Sequence, residues 1–231
     1  LEKVKYFIDV YNSQVDLLRG RSIEEVDELA DYKIKWSSTL KRTAIQGEII
    51  RLDKNLIESF LYRPFIEYNY YSEKTMSDRL TENHYKIFGG SLNRNNICIA
   101  ITGPGASKPF AALAVNKLYS LDLLEKTKSF PLFVYDENNH CRENISKGSL
   151  RLYKDYYNSN DILEKDIFHY IYAILNNPNY KMSYTLNLKQ SLPKIPLNED
   201  FWQWANWGEQ LMELHLNYEE IEKFPLKRID L

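Results

Sequence analysis

The chain has 231 residues, of which 44% are hydrophobic and 14% aromatic, and it contains 18 tyrosines. This composition excludes intrinsic disorder, which requires few aromatic residues and a high net charge. The net charge of −2 neither requires nor excludes a nucleic-acid partner, since many enzymes have the same balance.

Residues 1–60 carry apolar side chains at helical spacing and are predicted to form a helical neck. Val4, Ile8 and Tyr11 recur three or four positions apart, and Gly20 is a typical helix stop. Further helices are predicted over three segments: from Ser22 onward, over residues 39–46, and over residues 54–60 behind a cap at Asp53. Because the pattern is already helical at Leu1, we expect the chain to be a piece of a longer polypeptide.

Residues 61–158 change to a strand pattern, beginning where Pro64 pushes the preceding residue out of the helical region. The segment "IEYNYY" has side chains suited to a pleated surface. Three apolar segments are predicted to join in one mixed or antiparallel sheet: "NICIAITG", "PFAALAV" and "FPLFVY". Long polar loops separate them, and loops on a rigid sheet are common sites of binding residues.

Residues 159–231 return to a helical pattern, which completes a predicted α+β fold with a C-terminal helical subdomain. One helix is predicted to begin at the cap Asn160, with Leu163 on its inner stripe, and to end before Pro178. Gly208 lies inside the last helix, where glycine costs about 1 kcal/mol relative to alanine. We therefore expect close packing at that position.

The segment "SLPKIPLNEDF" at residues 191–201 places two prolines between helical patterns. A proline-rich ligand would have to be exposed in order to lie in an aromatic groove. Proline fixes φ and lacks an N–H group, so Pro193 and Pro196 are predicted to form a rigid joint that ends one helix and sets the angle of the next. Asn198 is the predicted cap of that next helix.

No set of side chains in the sequence forms a recognisable catalytic or metal site. The two cysteines are too few for a disulfide framework, which favours a reduced, cytoplasmic protein, and the four histidines lack metal-ligand spacing. No apolar run is long enough to span a membrane. The loop "GPGASK" at residues 103–108 departs from a nucleotide-binding loop, because one residue instead of four separates its glycines. We therefore expect no catalytic residue, metal or cofactor in this chain.

The loops and their flanks carry side chains of the kind that contact DNA. Arginine pairs with guanine edges, asparagine pairs with adenine edges, and lysine neutralises phosphates. The predicted DNA-contacting residues are Arg79, Asn83, Lys86, Asn93, Arg94, Asn96, Ser107, Lys108, Asn139, Arg142, Lys147 and Arg151. An ordinary polar surface would have a similar composition, so a more specific signal is needed.

Seven short motifs supply that signal by their order and spacing over residues 36–219. They are "YRPF", "NICIAITG", "FPLFVYD", "ENIS", "DIFHYIYAILNNPNYKMSY", "LPKIP" and "GEQLMELHLNYE". Read together, they resemble the C-terminal part of type ISP restriction-modification enzymes, which are single-chain systems.

In that family one polypeptide carries a nuclease, an ATP-driven DNA translocase, an adenine-N6 methyltransferase and, last, a target-recognition domain. The resemblance implies that residues 1–60 lead from the methyltransferase region, that residues 61–158 recognise DNA, and that residues 159–231 pack on them. It implies double-stranded DNA and the upstream domains as partners of a monomer. S-adenosylmethionine, ATP and Mg²⁺ would be used by the parent enzyme and not by this piece.

Two other classes of function are compatible with the sequence. The first is a protein-interaction module without DNA specificity, which would dock a partner on the aromatic residues Phe201, Trp202, Trp204 and Trp207 of the last helix. The second is a free-standing nucleotide-binding enzyme, which would bind ATP or S-adenosylmethionine.

Overall fold

The computed structural model describes residues 1–26, 33–77, 80–90, 92–136, 138, 140–222 and 225–226. In chain order the described elements are α1 (Glu2–Leu18), α2 (Ile23–Val26), α3 (Ser38–Ile45), a 3₁₀ turn (Lys54–Leu56), β1 (Ile57–Arg63), β2 (Ile66–Tyr71), α4 (Glu82–Phe88), β3 (Cys98–Ile101), β4 (Ala112–Val115), β5 (Lys128–Pro131), β6 (Phe133–Tyr135), β7 (Cys141–Glu143), α5 (Lys147–Tyr157), α6 (Glu164–Asn176), α7 (Pro178–Ser183), α8 (Thr185–Gln190) and α9 (Phe201–Leu216). Helices precede and follow a set of short strands, which confirms the predicted α+β fold. Within these ranges, no helix has both the length and the apolar character that a membrane crossing needs.

The N-terminal helices pack through the apolar stripe that the sequence predicts. Ile8, Tyr11 and Val15 of α1 are buried in one cluster with Leu40 and Ala44 of α3. The predicted helix over residues 39–46 is confirmed as α3. The division of the chain into regions at residues 60 and 158 stays a prediction.

Polar side chains of α1 fix the segment that follows α3. The Tyr11 hydroxyl donates to the carbonyl oxygen of Glu48 at 3.0 Å. The Asn12 amide binds both backbone groups of Ile50, donating to its oxygen at 2.8 Å and accepting from its nitrogen at 3.0 Å. The two bonds between Asn12 and Ile50 resemble the pairing of two strands.

The predicted helix over residues 54–60 is wrong beyond its first turn. Asp53 does cap a 3₁₀ turn, since its carboxylate accepts from the backbone nitrogen of Asn55 at 2.9 Å. The chain then continues as β1, which pairs with β2 in an antiparallel hairpin. Ile57, Phe60 and Tyr62 are β-branched or aromatic, and such residues pack well in a pleated ribbon. Cross-strand partners that are remote in sequence therefore override the local helical pattern.

The described strands form three small antiparallel sheets, and the three predicted apolar segments contribute β3, β4 and β5 to one of them, as expected. The orders of the three sheets are β1-β2, β4-β3-β5 and β6-β7. The segment "FPLFVY" is divided at Leu132, whose N–H donates to the carbonyl of Ile97 at 2.7 Å. Just beyond it, the backbone of Phe133 is bound by the side-chain amide of Asn96. A side chain thus replaces a neighbouring strand there, and the chain passes into a different sheet.

The sequence predicted loops where the structure has two helices and a strand. Base-reading loops were predicted over residues 76–96 and 138–154, but α4 lies in the first range, and β7 and α5 occupy most of the second. The side chain of Ser146 caps α5 by accepting from the backbone nitrogen of Ser149 at 3.0 Å. Tyr153 is buried in the core, and Leu150 and Tyr157 pack against the same cluster. These three residues recur at helical spacing, so the segment carries an amphipathic pattern that was read as a loop.

Helices α6 and α9 form the centre of the C-terminal region and pack against the β4-β3-β5 sheet. The predicted stripe of α6 is confirmed at Ile167 and Ile174 but wrong at Leu163, which is 58% exposed. The predicted cap at Asn160 is also wrong, because α6 begins four residues later. Its first turn is closed by Asp166, whose carboxylate accepts from the backbone nitrogen of Leu163 at 2.8 Å.

The proline segment is a joint held by tyrosine hydroxyl groups. Tyr180 donates to the carbonyl of Lys194 at 2.8 Å, and Tyr170 donates to the carbonyl of Pro196 at 2.8 Å. The backbone nitrogen of Asn198 in turn donates to the Tyr170 hydroxyl at 2.7 Å. The predicted joint between two helices is therefore confirmed, and these bonds tie it to α6 and α7. The predicted cap is wrong, because α9 begins at Phe201, three residues after Asn198.

Replacing Tyr170 with phenylalanine should lower the free energy of unfolding by about 1–3 kcal/mol. The ring is fully buried, and the change leaves the oxygen of Pro196 and the nitrogen of Asn198 without their shared partner. Tyr156→Phe is the matched control, since that ring is 57% exposed and its hydroxyl reaches the carbonyl of Leu197 only at 3.5 Å. Urea unfolding of both variants tests this, and equal midpoints would show that the tyrosines do not hold the joint.

Candidate nucleic-acid interface

Six of the predicted DNA-contacting residues are exposed near the start of β3, and we call them the β3-start surface. They are Asn83 and Lys86 on α4, Asn93 before β3, Arg142 on β7, and Lys147 and Arg151 on α5. Helix α4 packs against β6, β6 pairs with β7, and a three-residue turn joins β7 to α5. The fold therefore connects elements whose exposed side chains lie up to 68 positions apart in the sequence.

Acidic neighbours balance much of the positive charge on the β3-start surface. Lys86 lies 3.6 Å from Glu82, and Arg151 lies 3.5 Å from Asp155. The amide of Asn93 donates to the carboxylate of Glu58 at 3.1 Å. Exposed ion pairs of this kind contribute little to stability and are easily exchanged. The surface thus offers donors and acceptors more than a strong positive field.

Two predicted residues at this end of the sheet are part of the scaffold. Asn96 is 2% exposed, and its amide donates to the carbonyls of Ile87 and Phe133 at 3.1 and 2.8 Å. Its oxygen also accepts from the nitrogen of Phe133, so its hydrogen-bonding groups join α4 to β6. Arg94 is half-buried, with its guanidinium 3.8 Å from the centre of the Tyr135 ring. Asn96 is therefore not accessible to DNA, because its side-chain amide is buried.

Ser107 and Lys108 lie at the opposite end of β3, in the loop at residues 103–108, which we call the β3-end loop. Strand β3 has four residues, and a strand rises about 3.3 Å per residue, so roughly 13 Å of strand lies between the segments that lead to the two groups. The predicted residues therefore form two groups instead of one patch.

The carboxylate of Glu125, from the same chain, accepts hydrogen bonds from the donors of the β3-end loop. The backbone nitrogens of Ser107 and Lys108 and the Ser107 hydroxyl all donate to Glu125 at 2.9 Å. These bonds lower the pKa of Glu125 to about 2, the backbone bond from Ser107 being the largest cause. Glu125 therefore stays ionised at neutral pH. A phosphate cannot use the same donors unless Glu125 moves away, which agrees with the poor match to a nucleotide-binding loop.

Arg79 and Asn139 lie outside the described residues, so their prediction as DNA contacts stays open. Among the residues that the structure does describe, no group of three or more histidine, cysteine, aspartate or glutamate side chains is arranged to hold a metal ion. Cys98 is buried inside β3, where desolvation raises the pKa of its thiol well above the usual range. It is an inert core residue.

Comparison with protein families identifies the chain. The family described as the Type ISP C-terminal specificity domain matches residues 1–230. The chain belongs to this family. The resemblance predicted from the order of the seven motifs is thereby confirmed. A comparison with curated proteins finds no match.

Three solved structures are similar to this specificity domain. A chain of the DrdV–DNA complex, solved by cryo-electron microscopy, matches 98% of it at 37% identity with a TM-score of 0.90. A nuclease-deletion mutant of the Type ISP enzyme LlaGI, in complex with a DNA substrate mimic, matches 94% at 27% identity with a TM-score of 0.76. The ATP-dependent Type ISP enzyme LlaBIII bound to DNA matches 98% at 23% identity and a TM-score of 0.81, which shows a common fold.

The specificity domain spans about a fifth of the length of these relatives. It covers 22% of the DrdV chain, 20% of the LlaGI chain and 15% of the LlaBIII chain. Most of each related polypeptide therefore lies outside the part that this chain matches.

Sequence reasoning overlooked the charged segment "EKTK" at residues 125–128 of the specificity domain. Glu125 holds the β3-end loop, although 17 positions separate it from Lys108. The sequence did contain a signal for this contact. Lys128 leads into the predicted strand segment "FPLFVY", so the residues before it had to form a turn beside a neighbouring strand. Antiparallel pairing of β3 with β5 makes that neighbour the end of β3.

Proposed function

We propose that this chain selects the double-stranded DNA target of a Type ISP restriction-modification enzyme. Adenine-N6 methylation, ATP-dependent translocation and DNA cleavage would be carried out by upstream domains of the same polypeptide. The observation that carries the proposal is the family match over residues 1–230. The 37% identity to a chain solved in a complex with DNA supports it.

Target recognition and methylation would be carried out by different domains of the polypeptide. A methyltransferase must take its adenine out of the base stack, so it gains from a second domain that holds the duplex and reads neighbouring bases. This chain lacks the methyltransferase signature and a nucleotide-binding loop. We accordingly propose that it is a monomer that binds no S-adenosylmethionine, ATP or Mg²⁺, which the upstream domains would use.

The β3-start surface suits base reading better than non-specific attraction. It presents asparagine amides, which can form paired bonds with adenine, and arginines, which can form paired bonds with guanine. Its acidic neighbours reduce the sequence-independent attraction that a purely basic surface would exert. Helices and a strand support these side chains, and rigid elements hold a site more precisely than loops do.

Selection from a randomised pool of duplexes tests the proposed function. We expect this chain to enrich one sequence and to bind it at least about 10³-fold more tightly than a scrambled duplex. The logarithm of affinity should fall linearly with the logarithm of salt concentration. A pool that stays unenriched, with equal binding of all duplexes, would contradict recognition. Calorimetry should detect no binding of ATP or S-adenosylmethionine, and a measurable heat would favour the nucleotide-binding alternative.

One observation favours the protein-interaction alternative as a second candidate. Trp202 and Trp207 on α9 are 49% and 50% exposed, and tryptophan is enriched at protein interfaces. Replacing both with alanine should leave DNA selection unchanged if α9 is only a scaffold. Loss of a protein partner without any effect on DNA binding would assign α9 to that second role.

A further inference from the structure

The β3-end loop is held in one conformation from two sides. Glu125 binds its outer part, and the Nζ of Lys126 donates to the carbonyl of Gly105 at 2.7 Å. From the other side, the nitrogen of Gly105 donates to the carbonyl of Lys189, at the end of α8, at 2.7 Å. A Cβ atom on Gly103 would lie 2.0 Å from the carbonyl oxygen of Lys126, so glycine permits this close approach. The loop is therefore ordered before any ligand arrives.

The same contacts bring together the backbone positions of four exposed lysines from three parts of the chain. Lys108 belongs to the loop, and Lys126 binds the loop directly. Lys128 pairs with Ile101, the last residue of β3 before the loop begins, and Lys189 contacts the loop through its backbone. Within residues 102–108, 125–128 and 189, these four lysines face one acidic side chain, Glu125. The cluster therefore has a net charge of about three positive units at neutral pH.

We infer that the lysine cluster formed by Lys108, Lys126, Lys128 and Lys189 binds the phosphate backbone of duplex DNA, an inference that rests on the proposed function. Lysine acts as a compact, flexible point charge, which suits phosphate, whereas the rigid fork of arginine is better matched to a base edge. Glu125 offsets only one of the four positive charges, and three donors of the loop hold its carboxylate in place.

The two ends of β3 would then have different roles. The β3-start surface, with its asparagines, arginines and acidic neighbours, would read bases. The lysine cluster would fix the register of the duplex without regard to sequence. Phosphate contacts position a protein on DNA, whereas base contacts specify the site. Only the four-residue strand β3 separates the segments that lead to the two groups, so we expect one duplex to contact both.

The test uses a triple variant, Lys108→Gln, Lys128→Gln and Lys189→Gln, which keeps Lys126 and its bond to the loop. Each lost phosphate contact should reduce the slope of log affinity against log salt by about 0.9, so the slope should fall by about three. Affinity should fall by an equal factor for the selected and the scrambled duplex, which leaves their ratio unchanged. Fluorescence anisotropy at several salt concentrations measures both quantities.

Two controls separate charge from structure. Lys5→Gln, Lys54→Gln and Lys74→Gln removes three exposed lysines from the N-terminal part of the chain and should leave the slope unchanged. Arginine at the three tested positions keeps the charge and should restore the slope. If the wild-type chain binds DNA and the Lys108, Lys128 and Lys189 triple variant has the same slope, the inference is overturned. Failure of the wild-type chain to bind any duplex would instead overturn the proposed function, and the inference with it.

Discussion

Gly208→Ala should lower the free energy of unfolding by about 3 kcal/mol, the upper end of the usual cost of overpacking. A Cβ atom at this position would lie 1.8 Å from the carbonyl oxygen of His169 and 3.2 Å from the backbone nitrogen of Ala173. Both atoms belong to the backbone of α6, so no side chain can rotate away. The two helices would have to separate, and their interface includes the buried residues Tyr170 and Met212.

Gly148→Ala is the matched control for this substitution. Gly148 lies in the first turn of α5, and a Cβ atom there would approach only the Ser146 hydroxyl at 3.8 Å. This change should leave stability unaltered or raise it by at most about 1 kcal/mol, because alanine loses less backbone entropy than glycine. For a chain of this size, 3 kcal/mol corresponds to roughly 6–12 °C in melting temperature. Equal melting of the two variants would show that α6 and α9 are not in close contact at Gly208.

The sequence alone predicted this contact, because the reason for it is local. A glycine inside an amphipathic helix costs stability, and only a close neighbour offsets that cost. The proline joint was predictable on similar grounds, since Pro193 and Pro196 restrict their own backbone. Its means of support was not predictable. The hydroxyls of Tyr170 and Tyr180 come from helices that the sequence does not mark as neighbours.

Elements that depend on partners far away in the chain were mispredicted. Residues 57–60 continue a helical pattern, but β2 supplies hydrogen-bonding partners for them and makes them a strand. Helix α5 packs Leu150, Tyr153 and Tyr157 against a core formed mostly by other segments. Local propensity is a weak guide wherever such tertiary contacts compete with it.

The candidate site shows the same division between local and distant information. Residue type suggested Asn96, but burial between α4 and β6 makes it a structural link. Lys126, Lys128 and Lys189 did not stand out, because only strand pairing and the end of α8 bring them to Lys108. Composition can indicate which side chains suit DNA, and the fold decides which of them are accessible together.

The triple variant Arg142→Ala, Lys147→Ala and Arg151→Ala should weaken binding of the selected duplex by about 100-fold, equivalent to about 2.7 kcal/mol. All three side chains are exposed on β7 or α5, so their removal leaves the core intact. Each base pair read by a paired contact is worth about 1–3 kcal/mol of discrimination. The scrambled duplex should lose much less affinity. The specificity ratio should therefore fall, in contrast to the variant of the lysine cluster.

Arg142→Lys distinguishes base reading from simple attraction at this surface. Lysine keeps the positive charge but lacks the rigid planar fork of arginine, so it should hold guanine less precisely and the selected duplex should lose about 10-fold in affinity. Replacing Lys5, Lys54 and Lys74 with alanine removes the same total charge from another part of the chain and should preserve the ratio. If the triple variant and this control retain equal specificity, base reading must be assigned to other residues. If Arg142→Lys binds the selected duplex with wild-type affinity and Arg142→Ala binds it more weakly, Arg142 contacts a phosphate and does not read a base.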